Sequence, residues 1–223
     1  MESIYKVVET FVSINGEGAK SGALALFIRF QGCNLNCNYC DTEWANKDDA
    51  PYTEMTADEI IERVKMSNVK NVTLTGGEPL IQRDIDILID RLTDETDCRI
   101  EIETNGTRSI KKWDVRPDKL CFTLDYKLPG SGVPSDMDTD NYNYLSTRDT
   151  VKFVCSDESD LDAARIIIDK YSLVSKCNVF LSPVFGRIEP AFMVDYMVKY
   201  KMNDVRLQLQ LHKFIWDPEE RGV

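Results

Sequence analysis

Three cysteines, Cys33, Cys37 and Cys40, fall within eight residues of each other in G-C-N-L-N-C-N-Y-C-D-T (32–42). A closed tetrahedral zinc site or a ferredoxin-type cluster takes four protein ligands. No fourth cysteine lies nearby, and the only histidine is the distant His212. A loop of the form C-x3-C-x2-C can wrap one corner of a cubane, giving three thiolates to three irons of a [4Fe–4S] centre and leaving the fourth iron open. An open position serves chemistry when a substrate or cofactor binds the metal directly, the logic that separates catalytic from structural zinc. The alternative is a Cys3His zinc site completed by His212. Cys98, Cys121, Cys155 and Cys177 each lie in or beside an apolar segment and read as reduced, buried thiols.

Short apolar runs that would position this loop recur along the chain. Segments 24–30, 71–75, 99–103, 120–124, 150–154, 178–182 and 205–211 read as buried strands. Helical patterns lie between several of them. Thr56 and Glu59 form a capping box ahead of Ile60, Ile61 and Val64. Ile85, Leu88, Ile89 and Leu92 follow helical spacing, as do Leu161, Ala164, Ile168 and Tyr171, and Met193, Tyr196, Met197 and Tyr200 behind Pro190. Alternating strands and helices imply right-handed β-α-β units and a parallel sheet. With seven strands, two connections lacking a clear helix and a polar loop over 126–149, the expected fold is α/β, a partial, open parallel barrel with reduced helices, built as one domain over 1–223. The unusual loops, T-G-G-E-P, E-T-N-G-T, D-Y-K-L-P-G and S-P-V-F-G with the cysteine loop, all follow strands. In parallel β/α architectures such loops meet on one face, where the chemistry sits.

Composition limits the partners. The 223 residues are 43 % apolar and 29 % charged, ordinary for a globular chain. The net charge of −11 repels phosphate backbones, so no nucleic-acid partner is expected. The longest apolar run, Ala23 to Ile28, is too short to span a bilayer, and the N-terminus lacks the layout of a signal peptide, so the chain reads as cytoplasmic with no membrane partner.

The cysteine spacing with Tyr39 before the last cysteine, followed by G-G-E-P at Gly76 to Pro79, resembles the radical S-adenosylmethionine superfamily. That resemblance implies that S-adenosylmethionine chelates the open iron and is cleaved by one electron to a 5′-deoxyadenosyl radical that abstracts a substrate hydrogen; the cofactor carries the chemistry and no catalytic side chain is named. Gly76 and Gly77 would let the backbone approach the amino-acid end of the cofactor. Glu78 either adds charge there or caps the helix that starts near Leu80.

A narrower resemblance runs along nearly the whole chain. F-V-S-I-N-G-E-G, F-I-R-F-Q-G-C-N-L-N-C-N-Y-C-D-T, T-G-G-E-P-L, E-T-N-G-T and L-Q-L-H-K-F-I-W-D-P-E-E-R-G-V are similar to the 7-carboxy-7-deazaguanine synthase family. Those lyases contract the ring of 6-carboxy-5,6,7,8-tetrahydropterin with loss of ammonia, on the route to queuosine and related deazapurines. They are homodimers that use a [4Fe–4S] cluster, S-adenosylmethionine and Mg2+, with a reductant such as flavodoxin or ferredoxin. Arg29, in an apolar strand, needs a partner, either a substrate carboxylate or an internal Glu or Asp. Glu17 matches the 2-amino and N3–H edge of a pterin. By resemblance the substrate set is Ile14, Asn15, Gly16, Glu17, Arg29, Thr75, His212 at the end of the last strand, and Val223 in a tail folded over the pterin. Thr42 would hold Mg2+. The cofactor set is Tyr39, Gly76, Gly77, Glu78, Glu103, Asp125, Tyr126, Lys127, Ser182, Pro183, Val184 and Phe185. The chain departs from the family at Asn15, in place of Gln, at Tyr39, in place of Trp, and at Asp125-Tyr126-Lys127, in place of Ser-Pro-Lys; Asp125 is able to accept from ribose hydroxyls. Two other classes share parts of the pattern: a glycyl-radical enzyme activase, and a non-catalytic zinc or iron–sulfur protein.

Overall fold

The computed structural model describes residues 3–133 and 137–223. Among these described residues nine strands, with β1 at Ile4–Ile14 and β3 at Thr53–Thr56, form one sheet in the order β3-β1-β2-β4-β5-β6-β7-β8-β9. Seven run parallel: β2 (Leu24–Phe30), β4 (Asn71–Gly76), β5 (Arg99–Thr104), β6 (Leu120–Tyr126), β7 (Thr150–Cys155), β8 (Asn178–Pro183) and β9 (Val205–Leu207). The first and last strands in this order do not pair, so the barrel stays open. These are the seven expected strands, with the last cut short. Past Leu207, Gln208 N still donates to Leu181 O of β8 at 2.9 Å, and the Gln208 side chain clamps the N-terminal loop, accepting from Gly18 N at 2.7 Å and donating to Gly18 O at 2.9 Å.

Two strands go beyond the sequence reading, β1 (Ile4–Ile14) and β3 (Thr53–Thr56), which extend the sheet antiparallel to β2 and β1. Tyr5 and Val7 are buried, but a register shift between Val7 and Glu9 breaks the two-residue period that would have revealed β1.

The capping box closes as expected at the start of α2 (Ala57–Ser67), where Glu59 N donates to Thr56 Oγ1 at 3.2 Å and Thr56 N to Glu59 Oε2 at 2.7 Å. Helices α3 (Ile85–Glu95), α4 (Glu158–Tyr171) and α5 (Pro190–Lys199) follow the predicted stripes. The β5–β6 and β6–β7 connections hold only single helical turns among their described residues. A four-residue helix, α1 (Glu43–Asn46), follows the cysteine loop, and another, α6 (His212–Ile215), follows β9.

The strands alternate in a way that decides where the site lies. Ile28, Leu74, Ile102, Phe122, Phe153 and Leu181 are wholly or nearly wholly buried in the apolar core with Ile60, Leu88, Leu161 and Met193 of the helices. Their neighbours in sequence, Arg29, Thr75, Glu103, Thr123, Lys152 and Ser182, therefore point to the other face, the concave side of the sheet. The hydrophobic layer is thus on the helix side, and the inside of the half-barrel is polar.

Candidate active site

Two transverse rows of side chains cross that polar face. Arg29 is in register with Thr75, Glu103 with Thr123, and Thr75 Oγ1 joins the pairs by donating to Glu103 Oε2 at 2.7 Å. One layer nearer the carboxyl ends of the strands, Asp125 lies opposite Lys152. Both rows open into one cavity of about 780 Å3, which the cysteine loop, the 75–77 turn, the 184–187 loop and the C-terminal tail also line.

Cys33, Cys37 and Cys40 all face this cavity. Their loop is pinned by backbone bonds: Glu78 N to Gly32 O at 2.9 Å, Gly32 N to Ala45 O at 3.2 Å and Asn38 N to Ser131 O at 2.8 Å. Donors aim at the sulfurs. Leu35 N is 3.4 Å and Asn105 Nδ2 3.7 Å from Cys33 Sγ, while Asn46 Nδ2 and Thr42 Oγ1 are each 3.6 Å from Cys40 Sγ. Burial pushes the Cys33 and Cys37 thiols up, with the Lys127 ammonium pulling Cys37 partly back. A coordinated metal overrides such a shift and holds the sulfur as thiolate. Among the described residues no three His, Cys, Asp or Glu side chains converge as ligands of a single ion would. Three thiols on one loop, open to a cavity and with hydrogen-bond donors at Cys33 and Cys40, fit a cluster whose irons are bound one by one.

The glycine pair brings the next strand against this loop. A Cβ on Gly77 would strike the Gly32 carbonyl oxygen, and one on Gly76, whose φ is +134°, would strike the Phe30 backbone. Gly77 N donates to Phe30 O at 3.2 Å. Glu78 takes the capping role and not the cofactor-facing one. It is fully buried, its carboxylate accepts from Leu80 N, Thr104 Oγ1 and Asn105 N at 2.9, 2.8 and 2.6 Å, and it does not line the cavity.

On the opposite wall, Glu17 Oε2 accepts from Lys152 Nζ at 3.1 Å and Gln210 Nε2 at 3.3 Å, and Oε1 from Ser182 Oγ at 3.2 Å. Arg29 Nε donates to Glu9 Oε1 at 2.7 Å, the internal-carboxylate partner foreseen as one of two choices, while the side chain still lines the cavity. His212 begins α6 and does not end a strand, yet it faces the same cavity; burial lowers its pKa against the pull of Glu17 and Asp41. Asp125 Oδ2 pairs with Lys127 Nζ at 2.9 Å and Lys152 Nζ at 3.6 Å. Burial pushes the Asp125 carboxyl up, and the two ammonium groups outweigh it and hold it below the usual range. Its other oxygen, Oδ1, is buried with no hydrogen-bond partner among the described residues, an acceptor left for a ligand. Arg221, Gly222 and Val223 line the cavity, with the Arg221 guanidinium 4.2 Å from the centre of the Trp44 ring.

Of the expected site residues, Ile14, Gly16, Glu17, Arg29, Tyr39, Thr42, Thr75, Gly76, Gly77, Glu103, Asp125, Lys127, Val184, Phe185, His212 and Val223 meet the cavity with the cysteines. Four others besides Glu78 do not line it. Asn15 turns to the sheet, accepting from Thr73 Oγ1 at 3.0 Å; Tyr126 packs on Phe153; Ser182 serves Glu17; Pro183 is buried at the end of β8. Sequence reasoning passed over Lys152, Asn46, Asn105 and Trp44, and took Arg221 only as part of the closing tail. The signal for Lys152 was present in T-V-K-F-V, a lysine inside a buried strand like the arginine of L-A-L-F-I-R-F.

An open parallel sheet with a three-cysteine loop after its first parallel strand and a glycine pair after the next has the layout of a radical S-adenosylmethionine protein. A sequence model described as the radical SAM superfamily matches residues 27–124. The chain is 54% identical over 219 residues to the 7-carboxy-7-deazaguanine synthase of Clostridium acetobutylicum, covering 98% of this chain and 99% of that one. It is 36% identical to the synthase of the same name from Chlorobaculum tepidum, over 100% of this chain and 99% of the relative. The crystal structure of QueE from Escherichia coli shares the fold, with a TM-score of 0.74 at 20% identity over 92% of this chain and 93% of that one. The chain belongs to the 7-carboxy-7-deazaguanine synthase family. With that membership the activase and zinc-protein readings fall away.

Proposed function

We propose that the chain converts 6-carboxy-5,6,7,8-tetrahydropterin to 7-carboxy-7-deazaguanine with loss of ammonia, a lyase step toward queuosine and related deazapurines. One observation carries the reading: the three-cysteine loop and the polar set Glu17, Arg29, Thr75 and His212 face a single cavity. When bound, a [4Fe–4S] cluster on Cys33, Cys37 and Cys40 with S-adenosylmethionine supplies the one-electron cleavage and hydrogen abstraction that begin the reaction.

The chain's own residues bind, orient and exclude water. Glu17, fixed through both oxygens, offers two acceptors to the 2-amino and N3–H edge of the pterin. Arg29, steadied through Nε by Glu9, offers its terminal nitrogens to the substrate carboxylate. Asp125 and Lys127 face the cofactor side beside Cys37, with the glycine pair at the amino-acid end. Thr42, with Asp41 and Glu43 lining the same cavity, holds Mg2+, an ion that keeps few protein ligands. The tail closes over the pterin and shields it from solvent.

The reading also includes one domain over 1–223, a homodimer, a cytoplasmic location, flavodoxin or ferredoxin as reductant, and no nucleic-acid or membrane partner. The net charge of −11 supports the absence of a nucleic-acid partner. Among the described residues no helix is long and apolar enough to cross a membrane.

The test is anaerobic reconstitution with iron and sulfide, reduction, and addition of S-adenosylmethionine with the carboxytetrahydropterin. Turnover to the deazaguanine acid with ammonia released is expected. Formation of 5′-deoxyadenosine with the pterin untouched would defeat the substrate assignment, and a colourless zinc protein would defeat the cluster.

A further inference from the structure

We propose that Lys152 is a positioning residue shared by the substrate and cofactor sides of the cavity, and that its one ammonium sets the acceptor geometry of both Glu17 and Asp125. This rests on the functional reading above.

Lys152 stands in the middle of β7, a strand whose six residues are all buried, and is itself only 9 % exposed. A lysine in such a place is costly unless paired. Its Nζ reaches Glu17 Oε2 at 3.1 Å on one side and Asp125 Oδ2 at 3.6 Å on the other. Burial works against its charge, and Glu17, Asp125 and Glu103 more than restore it. The two carboxylates it joins come from distant parts of the chain, the loop after β1 and the end of β6.

Each carboxylate is oriented by its contact with Lys152 and keeps acceptor capacity for a ligand. Lys152 and Gln210 occupy Glu17 Oε2 while Ser182 occupies Oε1, which fixes the plane of the group without exhausting its lone pairs. At Asp125 both ammonium groups, Lys127 and Lys152, lie on Oδ2, and Oδ1 is left buried without a partner. An ionised Asp125 aimed by its lysines therefore presents Oδ1 to a ligand hydroxyl, such as those of the cofactor ribose. The same ammonium, with Gln210 and Ser182, fixes the orientation in which the Glu17 carboxylate meets the pterin edge. Remove the ammonium, and each carboxylate loses a contact that orients it: Glu17 keeps only Gln210 and Ser182, and Asp125 only Lys127.

The prediction is a pattern across four substitutions, read by equilibrium binding. The probes are S-adenosylmethionine on reconstituted protein, and fluorescent 6-carboxypterin, the oxidised substrate skeleton, on protein with and without its cluster. Glu17→Gln should weaken the pterin alone, Asp125→Asn should weaken S-adenosylmethionine alone, and Lys152→Met should weaken both at least tenfold. Lys152→Arg, which keeps the charge, should return both constants to within about fivefold of the wild type. Loss of one ligand only in Lys152→Met, or of neither, overturns the proposal. If Lys152→Met does not fold, Lys152→Arg decides alone: small shifts of both constants together support sharing, and a shift confined to one ligand overturns it. A wild-type protein that binds S-adenosylmethionine but no pterin would instead mark a failure of the functional reading itself.

Discussion

His212 and Gly16 occupy adjoining space so tightly that a Cβ on Gly16 would overlap the imidazole Nδ1. The glycine of N-G-E-G is there for the histidine and not for a turn. Gly16→Ala should push His212 out of the cavity and raise the KM for the pterin at least tenfold. Iron content and the cleavage of S-adenosylmethionine without substrate should stay near wild type. Steady-state kinetics beside an iron assay check both halves.

The Arg29–Glu9 pair at 2.7 Å separates two roles for one guanidinium. Arg29→Ala should cost about 2 to 4 kcal/mol of substrate binding, roughly 30- to 1,000-fold, because a buried charge-assisted bidentate contact is lost. Glu9→Gln keeps an acceptor for Nε and should change KM no more than about threefold. Cofactor cleavage without substrate should survive in both. Equal loss of cofactor cleavage and of pterin binding in Arg29→Ala would make that arginine a structural residue.

Glu78 carries three donors in a fully buried setting, although burial itself pushes its carboxyl pKa up. Glu78→Gln turns an amide N–H toward one of those donors and should lower stability by about 2 to 3 kcal/mol. Urea denaturation of the cluster-free protein measures it, and cluster loading should fall too, since Asn105 bonds both Glu78 and Cys33.

Burial pushes the Glu103 carboxyl up to about 6 from an ordinary 4.5, against the pull of Lys152. The unfolded chain ionises at the lower value and the folded chain at the higher. Between them the folded state holds the more protons, so this group's contribution to stability falls as pH rises through that window and levels off above it. At about 1.4 kcal/mol per unit the fall is roughly 2 kcal/mol. Comparing wild type with Glu103→Gln by denaturation across the window isolates it; the wild-type minus variant difference should decline with pH, and a rising difference would reverse the assignment.

Arg221 over Trp44 ties the tail to the helix that follows the cysteine loop. Arg221→Ala should release the tail and raise KM by about 2- to 30-fold, the range of a cation–π contact worth about 0.5 to 2 kcal/mol. A change in tryptophan fluorescence on adding the pterin should shrink in parallel.

Much of this was legible in the sequence. The parallel strands and four main helices declared themselves because each buries an unbroken or helically spaced apolar set. β1 did not, because its bulge changes phase within the strand. The cavity residues were readable where a motif sits on a loop, as at Cys33, Gly76 or Glu17. They were hidden where a side chain acts from within a strand or across a long separation, as with Lys152 and Asn105. Tyr126 and Ser182 show the converse: both were expected at the cofactor by resemblance, on segments that depart from the family, and strand alternation and a neighbour's demand turn Tyr126 onto Phe153 and Ser182 onto Glu17.

The clamp between Gln208 and Gly18, with Leu211 N donating to Gly16 O at 3.1 Å, joins segments some 190 positions apart into one wall. Synthesis from the N-terminus gives this seam a temporal meaning. A nascent chain that has emerged through β8 already holds the three cysteines, the glycine pair and Asp125, while Glu17 still lacks Gln210 and His212. The cluster loop and the glycine pair are therefore in place before the wall around Glu17 is complete.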